Sequence, residues 1–181
     1  QNARDDTAGL LLWTLKMLGD HPEWASALAT TADADGLALR IVLETLRLEQ
    51  SEFLFRQARE PLSIDGFTVP AGWLVRLCVR ESHRDPTVFP DPDRFDPDRF
   101  HAMPGRLAYS PFGAITSRHA CLGEQITKTV ASITLTELAR HFTWHVVADG
   151  PREFDGWHWT PSERFRISIT RRTLDAPTPA N

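Results

Sequence analysis

The sequence predicts a mainly α fold that also contains small antiparallel β-sheets, an α+β arrangement. Apolar residues recur at helical spacing in the first 49 residues and again in residues 122–142. Between them, residues 61–79 change to the alternation of apolar and polar residues that is typical of strands. Prolines then recur so densely in residues 85–100 that neither a helix nor a central strand fits there. These patterns favour helices packed beside short hairpins.

Three helices are predicted at the start of the chain. The first covers residues 8–18 and ends in a turn that contains glycine and proline. Pro22 is suited to open a second helix over residues 23–29, because the first turn of a helix does not need the N–H that proline lacks. The third helix begins after a break with capping residues around Asp33 and runs to about Glu49.

Strands are predicted on both sides of two turns. Asp65-Gly66 is a hairpin signal after the alternating Leu62 and Ile64, and a second turn follows at residues 70–72. The next strand carries alternating apolar residues, namely Trp73, Val75, Leu77 and Val79. Residues 85–100 are predicted to form an extended meander held by side chains.

A long helix over residues 122–142 is expected next, with four apolar residues facing inward: Ile126, Val130, Ile133 and Leu138. Residues 144–146 and 165–169 are predicted as closing strands. Residues 175–181 are expected to fray, so that residues 1–174 form the folded portion.

Composition indicates an ordinary globular protein. The 181 residues are 41% hydrophobic and 24% charged, enough for one sizeable core. A formal net charge of −4 argues against general nucleic-acid binding. Two cysteines make no disulfide framework and suit a reducing compartment. No apolar run has the length needed to span a bilayer.

Cys121 is the residue that most directly suggests chemistry. It ends a loop containing proline and glycine and precedes the predicted long helix. Backbone N–H groups and the helix dipole favour thiolate over thiol at such a place. A thiolate there is a suitable ligand for iron, and Leu122 and Gly123 leave room for a flat macrocycle. Cys78, on an alternating strand, is predicted to be an inert apolar residue.

Glu44 and Arg47 stand three residues apart on the third predicted helix, so both project from one face. Taken alone, the pair is typical of a solvated helix surface, where it contributes a few tenths of a kcal/mol, roughly. The ordered run HRDPTVFPDPDRF in residues 83–95 is a more specific feature than the pair.

Together, Glu44-x-x-Arg47, the run at residues 83–95 and Cys121-x-Gly123 resemble the cytochrome P450 family. The resemblance extends from about residue 2 to residue 172, but it covers only the C-terminal half of the family's fold. It implies haem b as the cofactor, bound through a cysteine thiolate, with Cys121 as the iron ligand. It also implies that Glu44, Arg47 and Arg99 form a buried structural triad beneath the haem.

Further haem contacts are implied by the same resemblance. Arg56 and His119 match the cationic positions that contact the haem propionates, and Phe112 and Gly123 belong to the haem loop. For Arg56 the alternative is a surface arginine, and for His119 it is a loop histidine without a partner. Arg118 is another cation that could take the propionate role.

The first residues resemble the centre of the helix that crosses above the haem. Asp6 and Thr7 match the acid–alcohol pair that relays protons there, a role suited to a carboxylate beside a hydroxyl. Alternatively, they are simply acidic and hydroxyl residues near a helix start. Substrate contacts are expected near Asp6, in residues 51–55 and around residues 157–159. Glu52 could instead face solvent, and Trp157 and Trp159 could be core aromatics.

The haem loop departs from the family's spacing. Phe112 lies nine residues before Cys121 rather than seven, and Ser117 occupies the place of a usual glycine. Either the loop is longer by two residues or it is built differently. A non-glycine residue in a left-handed conformation costs on the order of 1–2 kcal/mol, so Ser117 is not expected to copy that glycine's geometry.

The resemblance implies a cytoplasmic, bacterial-like mono-oxygenase that inserts oxygen from dioxygen into a small organic substrate. Expected partners are a ferredoxin- or flavodoxin-type electron donor, attracted by Arg106, Arg118 and Lys128, and the N-terminal portion of the P450 fold, as a separate chain or a missing segment. Two alternatives stay open. One is a truncated, non-catalytic haem-binding or scaffolding module, and the other is a peroxide-using haem-thiolate enzyme.

Overall fold

The computed structural model describes residues 2–49, 54–102, 109–113, 120–154 and 159–173. Its first three helices are α1 (Asn2–Asp20), α2 (Pro22–Thr30) and α3 (Ala34–Leu48). Pro22 opens α2 as predicted, and the Asp33 side chain caps α3 by accepting a hydrogen bond from the Gly36 N–H at 3.1 Å. The three predicted helices are therefore confirmed, and α1 begins earlier than the apolar pattern indicated.

The predicted hairpin at Asp65-Gly66 forms one small antiparallel sheet, and a second sheet contains a strand, β1 (Leu54–Gln57), that was not predicted. Strand β1 pairs with β4 (Leu74–Leu77), and β2 (Leu62–Ile64) pairs with β3 (Phe67–Val69). Asp65 and Gly66 both have positive φ, which is the backbone of the predicted tight turn. One detail of the prediction is wrong: Val79 does not continue the strand but begins the short helix α4 (Val79–Ser82), where it is buried.

The meander contains turns and one short 3-10 helix (Pro97–His101). The final elements are α5 (Glu124–His141) and strands β5 (Phe142–Ala148), β6 (Glu153–Phe154), β7 (Trp159–Thr160) and β8 (Arg166–Arg171). β5 pairs with β8, so the closing strands are confirmed and longer than predicted, and β6 pairs with β7 in a hairpin that the sequence did not reveal. The prediction of a frayed tail falls outside the described residues.

The main core lies between α1, α2, α3 and α5, with β5 along one side. Leu18, Ile41 and Leu135 are fully buried there. Trp144 of β5 is also buried, and its Nε1–H donates to the Leu15 carbonyl of α1 at 3.1 Å. This bond ties the terminal sheet to the helical core.

The predicted inward face of α5 is wrong for three of its four residues, and only Leu138 packs against the core. Ile126 is 67% exposed and Ile133 is 58% exposed, and Val130 is exposed as well, while Leu138 is half-buried. The helix instead buries small and γ-branched residues against α2 and α3, namely Ala131, Leu135 and Ala139. Close packing of α5 against α2 and α3 selects alanine at the contact, which a count of large apolar residues cannot detect.

In the parts of the chain that the structure describes, no helix combines the length and the apolar character needed to cross a bilayer.

Candidate functional site

The three residues predicted as a triad lie together. Glu44 and Arg47 occupy one face of α3, and both side chains are 0% exposed. Arg47 donates from Nε to Glu44 Oε2 at 2.7 Å and from Nη2 to Oε1 at 2.8 Å, a two-pronged pairing. Arg99 approaches from the 3-10 helix and donates from Nε to Glu44 Oε1 at 3.3 Å. Glu44 and Arg47, three residues apart on one helix, thus form a single charged cluster with Arg99, which lies 55 positions after Glu44 in the sequence.

The other hydrogen bonds of this cluster go to the backbone of the meander. Glu44 Oε1 also accepts from the Asp96 N–H at 2.9 Å. The two guanidinium groups donate to main-chain carbonyls at 2.6–3.4 Å, those of His83, Pro92, Arg94, Pro90 and Asp91. A buried ion pair is tolerated only when its remaining polar atoms are satisfied, and here the meander satisfies them. The cluster therefore holds residues 83–96 against α3.

A second, small core lies beside the cluster and contains Leu43, Phe89, Phe100 and Tyr109. The Tyr109 hydroxyl donates to the Leu43 carbonyl at 2.7 Å, and its ring meets Phe100 edge-on at 4.9 Å between centroids. Burial and the nearby Glu44 carboxylate raise the pKa of Tyr109 well above its ordinary value. Tyr109 therefore stays a hydrogen-bond donor and fastens the chain to α3 just before the loop that leads to Cys121.

That loop is closed by its own backbone. The Cys121 N–H donates to the Phe112 carbonyl at 3.0 Å, so two residues nine positions apart are held side by side. At the start of the loop the Gly113 N–H donates to the Ser110 carbonyl at 3.1 Å, and Gly113 has φ +84°, a conformation that favours glycine. The left-handed turn of this loop therefore lies at Gly113. Ser117 and the rest of residues 114–119 are outside the described residues.

Cys121 is an exposed, free cysteine three residues before the first residue of α5. The Thr127 N–H donates to the Gly123 carbonyl at 2.9 Å and so begins the helix within two residues of the thiol. Gly123 lies beside the sulfur, since a Cβ built on it would stand 3.7 Å from Cys121 Sγ. An accessible thiol at the positive end of an 18-residue helix has the position that a soft-metal ligand needs.

The other predicted site residues are spread over the fold. Asp6 and Thr7 are half-buried in the second turn of α1. Arg56 is exposed on β1, opposite Val75 of β4, and its Nη1 donates to the Phe55 carbonyl at 2.7 Å. Cys78 is half-buried and lies between β4 and α4 rather than on a strand. His119 and four other predicted contact residues lie outside the described residues: Arg106, Arg118, Glu52 and Trp157.

Sequence reasoning missed a second charged cluster at the end of α3. The Glu49 carboxylate lies within 3.5–4.0 Å of three guanidinium groups, those of Arg80, Arg84 and Arg152. Burial raises the pKa of Glu49, and the three arginines oppose that shift. Arg152 also stacks over Trp159, 4.9 Å from the ring centroid, which links β6 and β7 to α3. No local signal predicts this cluster, because its members come from three separate elements.

Sequence reasoning also assigned no role to His83, although it is fully buried between the triad and the loop. The Ser110 N–H donates to its Nε2 at 3.1 Å. The available signal was its position between the apolar Val79 and Phe89, both of which are buried.

Comparison with known proteins gives a consistent result. The sequence profile described as Cytochrome P450 matches residues 37–168. Abscisic acid 8'-hydroxylase 2 of Arabidopsis thaliana is 34% identical over 93% of this chain, and abscisic acid 8'-hydroxylase 1 of Oryza sativa subsp. japonica is 34% identical over 96%. The chain spans only 39% and 41% of the lengths of these relatives.

Solved structures resemble the chain in the same way. A mutant of the cytochrome P450DA haem domain matches with a TM-score of 0.81 and 27% identity, over 93% of this chain and 41% of that one. The retinoic-acid-bound cyanobacterial CYP120A1 shares the fold, with a TM-score of 0.80, 24% identity, and coverage of 92% and 43%. With a matching profile over most of its length and these relatives, the chain belongs to the cytochrome P450 family.

Proposed function

We propose that this chain is the cysteine-bearing C-terminal portion of a haem-thiolate mono-oxygenase that inserts oxygen from dioxygen into a small organic substrate. The cofactor of the family is haem b, held through a cysteine thiolate. The observation that carries the proposal is the accessible Cys121 thiol at the start of α5, on a loop fastened through Tyr109 to the helix of the buried triad.

The described residues fit such a cofactor. Cys121 supplies a thiolate, and Gly123 beside it has no side chain to obstruct a flat ligand. Phe112 is held next to Cys121 by its carbonyl and positions the loop. Arg56 and His119 are proposed to pair with the propionates, because a guanidinium or imidazolium meets a carboxylate with charge-assisted hydrogen bonds. When bound, thiolate-ligated haem supplies the cleavage of dioxygen and the transfer of one oxygen atom.

The proposed contributions of Asp6 and Thr7 concern protons. A carboxylate can accept a proton from water and release it to a neighbouring hydroxyl group, and the two residues are adjacent on α1. Their half-buried position is compatible with contact to a few ordered water molecules. Replacing Thr7 by valine would keep the shape of the side chain and remove the hydroxyl relay.

We also propose that the chain works together with the remaining part of the P450 fold. The relatives are more than twice as long as the matching segment, and α5 carries an uncovered apolar stripe. The stripe consists of Ile126, Val130 and Ile133, and Leu122 lies just before the helix; all four are exposed. Large apolar side chains at this spacing on one helix face favour contact with another packed element. This surface supports an interface with the part of the fold that the chain does not span.

The electron donor is proposed to be of the ferredoxin or flavodoxin type. Lys128, one of three cations expected to attract it, forms an ion pair with Glu124 at 2.7 Å. Its charge is therefore largely neutralised, and the proposed attraction depends on Arg106 and Arg118.

A cysteine exchange tests the proposal. In a protein completed by the rest of the haem-domain fold, Cys121→Ser should abolish the thiolate-type carbon monoxide difference spectrum, whereas Cys78→Ser should retain it. An unchanged spectrum in Cys121→Ser would refute the assignment. Turnover with dioxygen and a reductase supports the mono-oxygenase, turnover with peroxide alone supports the peroxide-using alternative, and no turnover by a haem-loaded protein supports the non-catalytic module.

A further inference from the structure

His83 lies where three parts of the fold meet. It is the C-cap residue that follows α4, it is 0% exposed, and it lies between the buried triad and the segment that leads into the Cys121 loop. Its carbonyl accepts a hydrogen bond from Arg47 Nη1 at 2.9 Å, and its Nε2 accepts one from the Ser110 N–H at 3.1 Å. The same residue therefore contacts the triad through its backbone and the loop entrance through its ring.

The ring is held in one orientation by aromatic neighbours. Tyr109 stacks on it at 5.0 Å between centroids with the planes 30° apart, and Phe89 meets it edge-on at 6.1 Å. Tyr109 is itself bound to the Leu43 carbonyl of α3. Contacts with Tyr109 and Phe89 therefore fix the position of Nε2 relative to α3, next to the residues at which the loop begins.

The hydrogen bond from Ser110 determines which ring nitrogen carries the proton. Nε2 faces an N–H donor, so it must present its lone pair, and a neutral imidazole then carries its proton on Nδ1. Nδ1 has no hydrogen-bond partner among the described residues. The charged groups that act on the ring are Arg47 from α3 and Arg84, which begins the meander. Burial, and then the charges of Arg47 and Arg84, lower the pKa of His83 to about 4.

A continuous series of hydrogen bonds runs from the triad to the cysteine. Arg47 binds the His83 carbonyl, and the His83 ring binds the Ser110 N–H. The Ser110 carbonyl accepts from Gly113, and the carbonyl of Phe112, one residue earlier, accepts from Cys121. Removing the ring acceptor would free the entrance of the loop while leaving the ion pairs of the triad intact.

We propose that His83 is a positioning residue for the Cys121 loop: as the neutral imidazole with its proton on Nδ1, it binds the Ser110 amide and so fastens the loop entrance to the Glu44–Arg47 pair. The importance of this role for haem binding rests on the proposed function, but the anchoring itself does not. It applies to the folded chain with or without cofactor.

The tautomer is measured on the unmodified, ¹⁵N-labelled chain. We expect the imidazole nitrogen shifts at about pH 7 to place the proton of His83 on Nδ1 and a lone pair on Nε2. A proton on Nε2, or a doubly protonated ring, overturns the proposal. This measurement needs no variant, so it decides the matter even if a substitution at position 83 prevents folding.

Two variants then test the anchoring. Glutamine can place an acceptor oxygen near the position of Nε2, whereas leucine has similar bulk and no acceptor. His83→Leu should accelerate hydrogen exchange of the Ser110 amide by about tenfold, the factor expected for one lost hydrogen bond, and His83→Gln should restore most of the protection. His145→Leu, at an exposed histidine on β5, is the control and should change nothing at Ser110.

The consequence for the thiol is measured in a Cys78→Ser background with a thiol-specific reagent. His83→Leu should change the reaction rate of Cys121 several-fold, and His83→Gln should return it towards the original rate. Equal Ser110 exchange or equal Cys121 reactivity in His83→Leu and the unmodified chain overturns the proposal. These readouts use no haem, so a failure of the proposed function appears only in the Cys121→Ser spectrum.

Discussion

At the scale of single residues, the Glu44–Arg47 pair shows how burial changes the value of an ion pair. The same chain contains a second Glu–Arg pair at the same spacing, Glu137 and Arg140 on α5, with an N–O distance of 3.1 Å and both side chains about half exposed. The two pairs therefore have the same spacing on a helix and differ in their exposure to solvent.

Arg47→Ala should lower the free energy of unfolding by roughly 3–5 kcal/mol, because it leaves the Glu44 carboxylate buried without its main partner. Arg140→Ala should lower it by roughly 0–1 kcal/mol, because water replaces an exposed partner. Urea unfolding of the two variants measures the difference. Equal losses would contradict the structural role of the buried pair.

Gly113 provides a second prediction at this scale. Its φ of +84° is strained for any residue with a Cβ, so Gly113→Ala should destabilise the loop by roughly 1–2 kcal/mol. Gly9→Ala is the matched control, because Gly9 lies within α1 and a Cβ there meets no atom within 4 Å. That control should be neutral or stabilising by up to about 1 kcal/mol. The Cys121 amide donates to the Phe112 carbonyl, so faster hydrogen exchange at this amide would show that the loss of stability lies in the loop.

Among the secondary-structure elements, α5 shows that a large apolar side chain is not necessarily buried. Leu135 is 0% exposed against α2 and α3, while Ile133, half a turn away, is 58% exposed. A hydrophobic residue stabilises this chain only where it leaves water.

Leu135→Ala should therefore cost roughly 2–5 kcal/mol of unfolding free energy, and Ile133→Ala should cost well under about 1 kcal/mol. Thermal or urea unfolding of the chain by itself makes the comparison. A large loss in Ile133→Ala would mean that the stripe is already covered, for example by a second copy of the chain, which light scattering would detect.

The buried His83 ring makes the stability of the folded chain depend on pH. The pKa of His83 is about 4 in the folded chain and about 6.5 for an unperturbed histidine, so between these values the unfolded chain binds more protons. Stability from this group is fully present above about pH 6.5 and is lost as the pH falls towards about 4, a total on the order of 3 kcal/mol.

Unfolding measured at several pH values in that window should show this loss, and His83→Gln should reduce it. His101→Gln, at an exposed histidine that pairs with Asp98 at 3.1 Å, should leave the loss in place. If the wild-type chain and His83→Gln had the same pH dependence, His83 would not be the group responsible.

At the scale of the whole molecule, the chain presents two kinds of surface. One is the uncovered stripe on α5, and the other is a set of exposed apolar side chains on or next to the small sheets, namely Phe67, Trp73 and Leu74. Since the chain spans about two fifths of its relatives, both surfaces are candidates for contact with the rest of the fold.

We expect Ile126→Glu to leave the chain folded by itself, because the side chain is exposed, and to weaken assembly with the remaining part of the fold. Circular dichroism tests the first outcome, and the haem content of the assembled protein tests the second. Gln125→Glu, an equal added charge at the neighbouring exposed position, is the control. Normal haem content in Ile126→Glu would remove position 126 from the proposed interface.

Much of the local structure was predictable because its causes are local. Pro22 and the break before α3 mark helix starts, Asp65-Gly66 sets a turn, and alternation marks the strands, each through constraints on neighbouring residues. Glu44, Arg47 and Arg99 were proposed as a unit through the family resemblance, and the structure brings them together.

The order and type of most elements, the grouping of the triad by resemblance and the position of the cysteine before a helix could be inferred from the amino-acid sequence. The buried face of α5, the position of the left-handed turn in the loop and the contact of His83 with Ser110 became evident from the folded chain. The physical reason is distance along the chain: these features depend on packing and hydrogen bonds between separate segments, which no pattern of adjacent residues specifies.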